Sequence, residues 1–420
     1  MHRRDFLSTL GAASGAAALE GGFPSAARAA EMDIPRGPGT VPKTNIEIRA
    51  SYPPIPPLGK DVFERRLEQA RKLTQDAGAT VLVATSGSTN FNYLVGSGFG
   101  RSERLIALVL PVSGEAVLVS PSFEAERVRR GARIGAVRGW EEHESPYTLV
   151  REILGGLARR ALVLIEPKTE YWTAMRIVAA LPDARLIDGS AVFERMRLVK
   201  SADEIVRIRR AIEITEDAIA AAYDQLQTGM RDSDIAAIVT REHALRGVTG
   251  GALVQLGAQS ALPHGGTIGT KLVEGMVVLM DGGCVFQGYA SDITRTRWFG
   301  GAPPAKFWEV YNLVHDAQTA AMERVKPGVP AQEIDRAARA VIAKGGYGHY
   351  FTHRVGHGMG MDGHEETYMV EGNTRALEPG FVFSVEPGIY MLGEFGVRHE
   401  DDVMCTASGG EVLSRRAPKI

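Results

Sequence analysis

The chain reads as two domains: a layered α/β domain, followed by an α+β domain built from β-hairpins and amphipathic helices. Two observations predict this. Between residues 61 and 197, short apolar β runs alternate with helical periodicities, the pattern of strands and helices packed in layers. From residue 198 onward, amphipathic helices frame two stretches in which pairs of carboxylates are symmetric about glycine-containing turns. With 420 residues, 44% of them hydrophobic, the chain can bury two cores.

Residues 1–30, MHRRDFLSTLGAASGAAALEGGFPSAARAA, carry Arg3 and Arg4 ahead of Phe6 and Leu7, then a weakly hydrophobic run interrupted by Glu20, then Ala-Arg-Ala at 27–29. They read as a twin-arginine export signal cleaved near Ala29, which places the mature protein in a bacterial periplasm. Residues 31–60 are proline-rich (PRGPGT, YPPIPPLGK) and read as a linker or extended arm. In the α/β domain, 61–197, DVFERRLEQARKLTQDAG has helical spacing and stops at Gly78. ATVLVAT, LIALVLP, EAVLVSP and ALVLIEP are strands, FEAERVRRGA and YWTAMRIVAALP are helices, and NYLVGSGFG is a turn-rich connection. Trp140 and His143, in GWEEHESPY, read as a solvated loop.

The second domain, 198–420, opens on MRLVKSADEIVRIRRAIEITEDAIAAAYDQL, one long helix in which Ser201 and Glu204 form a capping box. MRDSDIAAIVTREHALRG is a second helix, and ALVQLGAQSALPHGG leads to His264, by itself a turn residue after Pro263. KFWEVYNLVHDAQTAAMERV and AQEIDRAARAVIAKGG are two more amphipathic helices; His315 lies on a face of the first. A balance of 48 basic against 50 acidic residues gives no electrostatic case for nucleic acid. No apolar stretch is long enough to span a bilayer, so no membrane partner is expected once the signal is removed. Cys284 and Cys405 read as two small buried strand residues, with a disulfide between them the alternative.

In VVLMDGGCVFQGYASDITRT, Asp281 and Asp292 are equidistant from a point between Phe286 and Gln287; in FVFSVEPGIYMLGEFGVRHE, Glu386 and Glu400 are equidistant from Gly393. Equidistance from a turn sets residues opposite one another on paired strands, side chains on one face and roughly 5 Å apart. Facing carboxylates destabilise a sheet, and these flanks are too apolar for a solvated surface, so a cation is expected between them. Taken singly, either pair also reads as a surface cross-strand pair neutralised by Lys or Arg. Four oxygen donors with an imidazole and no thiolate pair suit two divalent ions of the manganese, cobalt, zinc or iron type.

These segments also carry a resemblance. MDGG with ASDITRT, PHG, GHGMG, HEE, SVEPGIY and GVRHED are similar, in order and spacing, to the signatures of the pita-bread metallopeptidases, the group of prolidase, aminopeptidase P and methionine aminopeptidase. The match runs from about residue 200 to the end, and the preceding region resembles the N-terminal domain of the creatinase and prolidase branch. The resemblance implies a pita-bread catalytic domain, a homodimer, and hydrolysis of the bond before proline in dipeptides or short peptides. It implies that Asp281 chelates one ion, Asp292 and Glu400 bridge both, and His357 and Glu386 complete the other, with manganese the first candidate. A water shared between the ions would be the nucleophile and Glu386 the proton shuttle. His264 and His364 would hold the scissile carbonyl, His353 would position the substrate, and Arg398 would support Glu400. Tyr289 and Arg295 flank the first hairpin as weaker candidates, and His399 points the other way as a structural residue.

HRVGHG is nearer to the dipeptidase side of the branch. Many prolidases read HEEPR where this chain reads HEETY, so Tyr368 stands where an arginine would help to hold a dipeptide's carboxylate. The alternatives are a metal-dependent hydrolase or lyase of a small non-peptide substrate on the same fold, and, from another class, a non-catalytic peptide-binding module. The second predicts lost ligands, and all five are present.

Overall fold

The computed structural model describes residues 52–266 and 268–420. The expected export signal and residues 31–51 of the expected linker lie outside the described residues. Strands β1 (Val81–Thr85), β2 (Ala107–Pro111), β3 (Val117–Pro121), β4 (Ala136–Trp140), β5 (Leu162–Ile165) and β6 (Arg185–Asp188) form a six-stranded mixed sheet in the order β4-β3-β2-β1-β5-β6. Strands β1, β2 and β3 are buried at every position and largely apolar because both faces are covered. Leu82, Ala84, Leu108 and Leu110 pack with Phe63 and Leu67 of α1 (Lys60–Asp76) and Phe91 of α2 (Thr89–Val95). Val81, Val83, Ala107 and Val109 turn to the other face, against Val150 of a later helix and Ile177. The remaining helices of this half are α3 (Ala125–Gly131), α4 (Pro146–Leu154), α5 (Tyr171–Ala180) and α6 (Ser190–Leu198).

Three local readings are corrected, the third at Trp140. The stretch expected as a turn-rich connection is a helix, α2, capped by the Ser88 side chain on Phe91 N at 3.1 Å and ended by Gly96 at φ 79°. The helix expected to run unbroken from Met196 is two: α6 stops at Leu198, and α7 (Ala202–Tyr223) begins after Ser201, where the expected capping box with Glu204 is formed. Trp140 is buried at the end of β4, donating to Leu105 O at 3.2 Å, while His143 is exposed.

The second half holds α8 (Asp232–Leu245), β7 (Thr249–Leu256), β8 (Met276–Phe286), β9 (Tyr289–Ala290), β10 (Ile293–Phe299), α9 (Ala305–Arg324) and α10 (Ala331–Lys344), followed by seven short strands. These are β11 (Gly356–Gly358), β12 (Glu365–Met369), β13 (Val382–Val385), β14 (Gly388–Met391), β15 (Phe395–Arg398), β16 (Asp401–Thr406) and β17 (Gly409–Val412). One sheet is β10-β8-β7 with β9 paired to β8; another is β12-β11-β13-β16-β17; β14 and β15 form a separate ribbon. Ile208, Ile212 and Val239 of α7 and α8 bury Val254, Val278 and Met280. Val310, Val314 and Ile342 of α9 and α10 bury Phe383, Val385 and Val403. The sheets are stitched where Glu400 N donates to Thr294 O at 3.2 Å and Thr296 Oγ1 donates to Arg398 O at 2.8 Å. Cys284 and Cys405 are buried free thiols.

Candidate metal centre

Glu386 and Glu400 occupy the positions that the hairpin count gives them. The β13–β16 ladder pairs Val385 with Asp401, and the β14–β15 ladder pairs Gly388 with Arg398, in one continuous register. Glu386 and Glu400 therefore face each other at the gap between the two ladders, where no backbone bond pins them together.

The first hairpin is corrected. Gln287 and Gly288 form its turn with φ of 47° and 87°, both positive as a two-residue type I′ turn needs. Phe286 then pairs with Tyr289, and Asp281 faces Thr294 rather than Asp292. Asp292 sits two positions nearer the turn on the same face, off the ladder, donating its N–H to Asp402 Oδ2 at 3.2 Å.

All nine residues expected at the site, His264, Asp281, Asp292, His353, His357, His364, Glu386, Arg398 and Glu400, line one cavity of about 550 Å³, together with Pro263, Arg354 and Val370. Ligand atoms of Asp281, Asp292 and Glu400 lie within 4.8 Å of one another, as do those of His357, Glu386 and Glu400, and those of Asp292, His357 and His364. The last group adds His364, whose ring centroid is 3.8 Å from that of His357. A second cavity, about 460 Å³ among Trp298, Phe307, Trp308 and Tyr311, holds no imidazole, and its one acidic side chain, Glu216, is paired with Arg295 and Arg415.

The donor chemistry of the first cavity fits metal ions. His357 Nδ1 lies 3.1 Å from Gly358 O, a carbonyl that can only accept, so Nδ1 carries the proton. The lone pair of Nε2 then faces Glu386 Oε1 at 3.4 Å and Asp292 Oδ2 at 3.6 Å. A lone pair aimed at two carboxylates is repulsive unless a cation stands between them. Burial, and the carboxylates around them, raise Asp292 and Glu400 well above the ordinary carboxylate range. Glu386 is pushed up to about 7 by burial, with Asp281 raising it further and Arg398 and Arg354 opposing. Burial, then His364, lowers His357 to about 3, which keeps the imidazole neutral for ligation.

Arg398 is corrected in its partner. Its Nη2 donates to Asp281 Oδ2 at 2.6 Å and its Nη1 to Tyr390 OH at 3.0 Å. It reaches Glu400 only through Thr294, which accepts from Arg398 Nε at 3.1 Å and donates to Glu400 Oε2 at 2.6 Å. Both ring nitrogens of His353 are engaged, Nδ1 with Arg354 O and Nε2 with Tyr390 OH, each at 2.7 Å, so this imidazole is held as a wall of the cavity. His264 and His364 are exposed to the cavity mouth. Arg295 supports the strand below, donating to Glu400 O at 2.7 Å and to Asp401 Oδ1 at 2.8 Å. Tyr289 lies away from the cavity, joining the halves of the chain by accepting from Arg66 Nη2 at 2.6 Å and donating to Glu204. His399 faces away and packs on the Tyr311 ring at 4.3 Å. The loop bearing His364 is braced from the first half: Thr89 Oγ1 and Arg197 Nη2 donate to Asp362 at 2.6 and 2.7 Å.

Sequence reading missed Thr294, Tyr390 and Arg354. Each sits inside a singled-out segment, ASDITRT, EPGIY and HRVGHG, but its partner comes from elsewhere in the chain.

Residues 206–407 match the model of metallopeptidase family M24, and residues 66–199 that of the creatinase/prolidase N-terminal domain. A probable dipeptidase PepE of Mycobacterium tuberculosis is 37% identical over 356 residues, covering 83% of this chain and 93% of that one. Among solved structures, dipeptidase PepE from Mycobacterium ulcerans superposes with a TM-score of 0.80 at 34% identity, over 87% of this chain and 98% of that one. A prolidase from Thermococcus sibiricus follows at 0.78 and 31%, over 85% and 98%. The cavity with its carboxylates and imidazoles thus sits in a chain that belongs to metallopeptidase family M24, on the pita-bread fold with a creatinase-type N-terminal domain, and is a metallopeptidase of the dipeptidase and prolidase type.

Proposed function

We propose that this protein is a dinuclear metallopeptidase that cleaves the Xaa-Pro bond of dipeptides or short peptides, with manganese as its working ion. The observation that carries the dinuclear reading is the His357 lone pair converging with four carboxylates of which only Asp281 has a cation of its own, Arg398. Asp281, Asp292, His357, Glu386 and Glu400 would hold the two ions. Bound divalent ions supply Lewis acidity, which eases deprotonation of water and polarises the scissile carbonyl.

The chain's own groups do the rest. Glu386, in the wall of the cavity, takes a proton and returns it to the leaving nitrogen. His364 and His264, at the cavity mouth, hold the carbonyl oxygen and favour the charge that develops on it. Tyr390 and Arg398 keep His353 and Asp281 in place. Proline specificity is supported by the prolidase and the Bacillus anthracis Xaa-Pro dipeptidase among the structural neighbours; the latter has a TM-score of 0.77 at 28% identity, over 85% of this chain and 99% of that one. The Arg3-Arg4 pair supports export in the folded state to the periplasm.

The test is hydrolysis of Xaa-Pro, Xaa-Pro-Yaa and Xaa-Ala by metal-stripped protein resupplied with Mn²⁺, Co²⁺ or Zn²⁺. Cleavage of the proline substrates with one ion restored is expected; failure on all three peptides moves the small non-peptide substrate to the front. Glu386→Gln should abolish turnover while the protein stays folded by circular dichroism. Near-wild-type turnover removes Glu386 as the shuttle.

A further inference from the structure

The second cavity, about 460 Å³, shares no residue with the metal-site cavity, and the chemistry above makes no use of it. Its body is aromatic. Trp298 of β10 and Phe307, Trp308 and Tyr311 of α9 line it, with neighbouring ring centroids 5.2 to 5.9 Å apart.

Four guanidinium groups stand on the same cavity, Arg295, Arg297, Arg415 and Arg416. Two of them are matched: Arg295 by Glu216 and Asp401, Arg415 by Glu216 and Asp217. Among the described residues no carboxylate stands within 4.0 Å of Arg297 or Arg416. Arg416 is half-buried and held by neutral oxygens alone, donating to Gln318 Oε1 at 3.2 Å and to Thr319 Oγ1 at 2.8 Å; its Nε finds no acceptor among the described residues. A charge drawn partly out of water loses solvation that neutral acceptors replace only in part. Arg297 is exposed, and its guanidinium carbon lies 4.3 Å from the centroid of the Tyr223 ring. Stacking there orients the planar fork and leaves its edge N–H donors free.

An aromatic pocket with two unmatched guanidiniums is complementary to a flat apolar body that carries one negative charge. The rings supply faces and edges for stacking, and a planar fork grips a carboxylate through parallel hydrogen bonds. The volume is that of a small-molecule site. We propose that this cavity is a second binding site, for a planar aromatic carboxylate, with the ring among Trp298, Trp308 and Tyr311 and the carboxylate on Arg416 and Arg297. Binding there engages none of the residues that would hold metal, so the assignment stands or falls separately from the peptidase reading.

The experiment titrates 2-naphthylacetate into the Mn²⁺-loaded protein by calorimetry, beside its neutral amide and octanoate. The acid should bind with a Kd of about 0.1–1 mM, about 10- to 100-fold tighter than the amide. Octanoate keeps the charge without a ring face and should bind several-fold more weakly than the acid. Arg416→Met should remove the difference between acid and amide. Arg297→Met, at an exposed side chain that folding can spare, should reduce that difference several-fold. Glu386→Gln, and removal of metal with EDTA, should leave the Kd of the acid unchanged, which separates this site from capture of a carboxylate by the metal ions. No binding of the acid, equal affinity for acid and amide, undiminished binding in both arginine variants, or binding lost with EDTA overturns the assignment. Octanoate binding as tightly as the acid overturns the aromatic class of ligand.

Discussion

Arg398→Met tests the frame of the metal centre. The side chain is 2% exposed and donates to Asp281 Oδ2 at 2.6 Å, Tyr390 OH at 3.0 Å and Thr294 Oγ1 at 3.1 Å. Deleting one member of a buried ion pair costs about 3–5 kcal/mol, because the remaining charge is left without a partner. Asp281 keeps 28% of its side chain exposed, so water takes up part of that charge. The expected loss is thus at the low end, about 3 kcal/mol in chelator. Divalent metal replaces the missing cation at Asp281, so urea melts in saturating Mn²⁺ should show a clearly smaller loss than melts in EDTA. Thr294→Val removes the bond to Glu400 and the acceptor of Arg398 Nε but leaves the Arg398–Asp281 ion pair, so it should cost less, about 1–2 kcal/mol, and be less metal-dependent. A loss under about 1 kcal/mol for Arg398→Met in EDTA, or a larger loss with metal than without, would refute the argument that this arginine neutralises Asp281.

Gly356→Ala should disrupt the centre without touching a ligand: a Cβ there would collide with the Ser384 carbonyl, and β11 would have to shift with His357; loss of Mn²⁺ binding by calorimetry is the check. His243 is buried, with Nδ1 donating to Val239 O at 2.9 Å, and burial lowers it to about 4. Its folded value lies below the unfolded one, so its stabilisation is complete above about pH 6.5 and lost as pH falls through 4, a change of about 3 kcal/mol. The stability difference between wild type and His243→Asn should shrink by that amount between pH 7 and 4 in urea melts; a pH-independent difference contradicts it. Replacing Arg3 and Arg4 by Lys should hold the precursor in the cytoplasm on fractionation, and an unchanged periplasmic yield would sink the export reading.

The sequence made some of this plain and hid the rest for physical reasons. Glu386 and Glu400 were legible because a regular hairpin obeys a counting rule, and the count about Gly393 matches the ladder on both sides of the gap. The same rule failed at Asp281 because Gln-Gly is not a strong turn signal and Asp292 leaves the ladder for Asp402. Strands β4 and β6 went unread because they are sheet edges of mixed burial, with no alternation to count. Helices α2 and α4 are shorter than the window in which helical periodicity emerges. Tyr390, Thr294 and Arg354 are defined by partners from other elements, which no local pattern encodes. Spacing alone placed the Glu386–Glu400 pair; that it meets Asp281 and Asp292 is visible only where Thr294 of β10 joins Glu400, ahead of β16.

The gap between the two ladders has a consequence for how this chain tolerates insertions and deletions. Glu386 and Glu400 are bonded to neighbouring elements and not to each other, so their meeting depends on the arms 387–391 and 395–399 being equal in length. The loop at 392–394, whose Leu392 is exposed, can grow or shrink without moving them. One residue added to or removed from a single arm rotates one carboxylate out of the cavity, whereas matched changes in both arms restore the meeting.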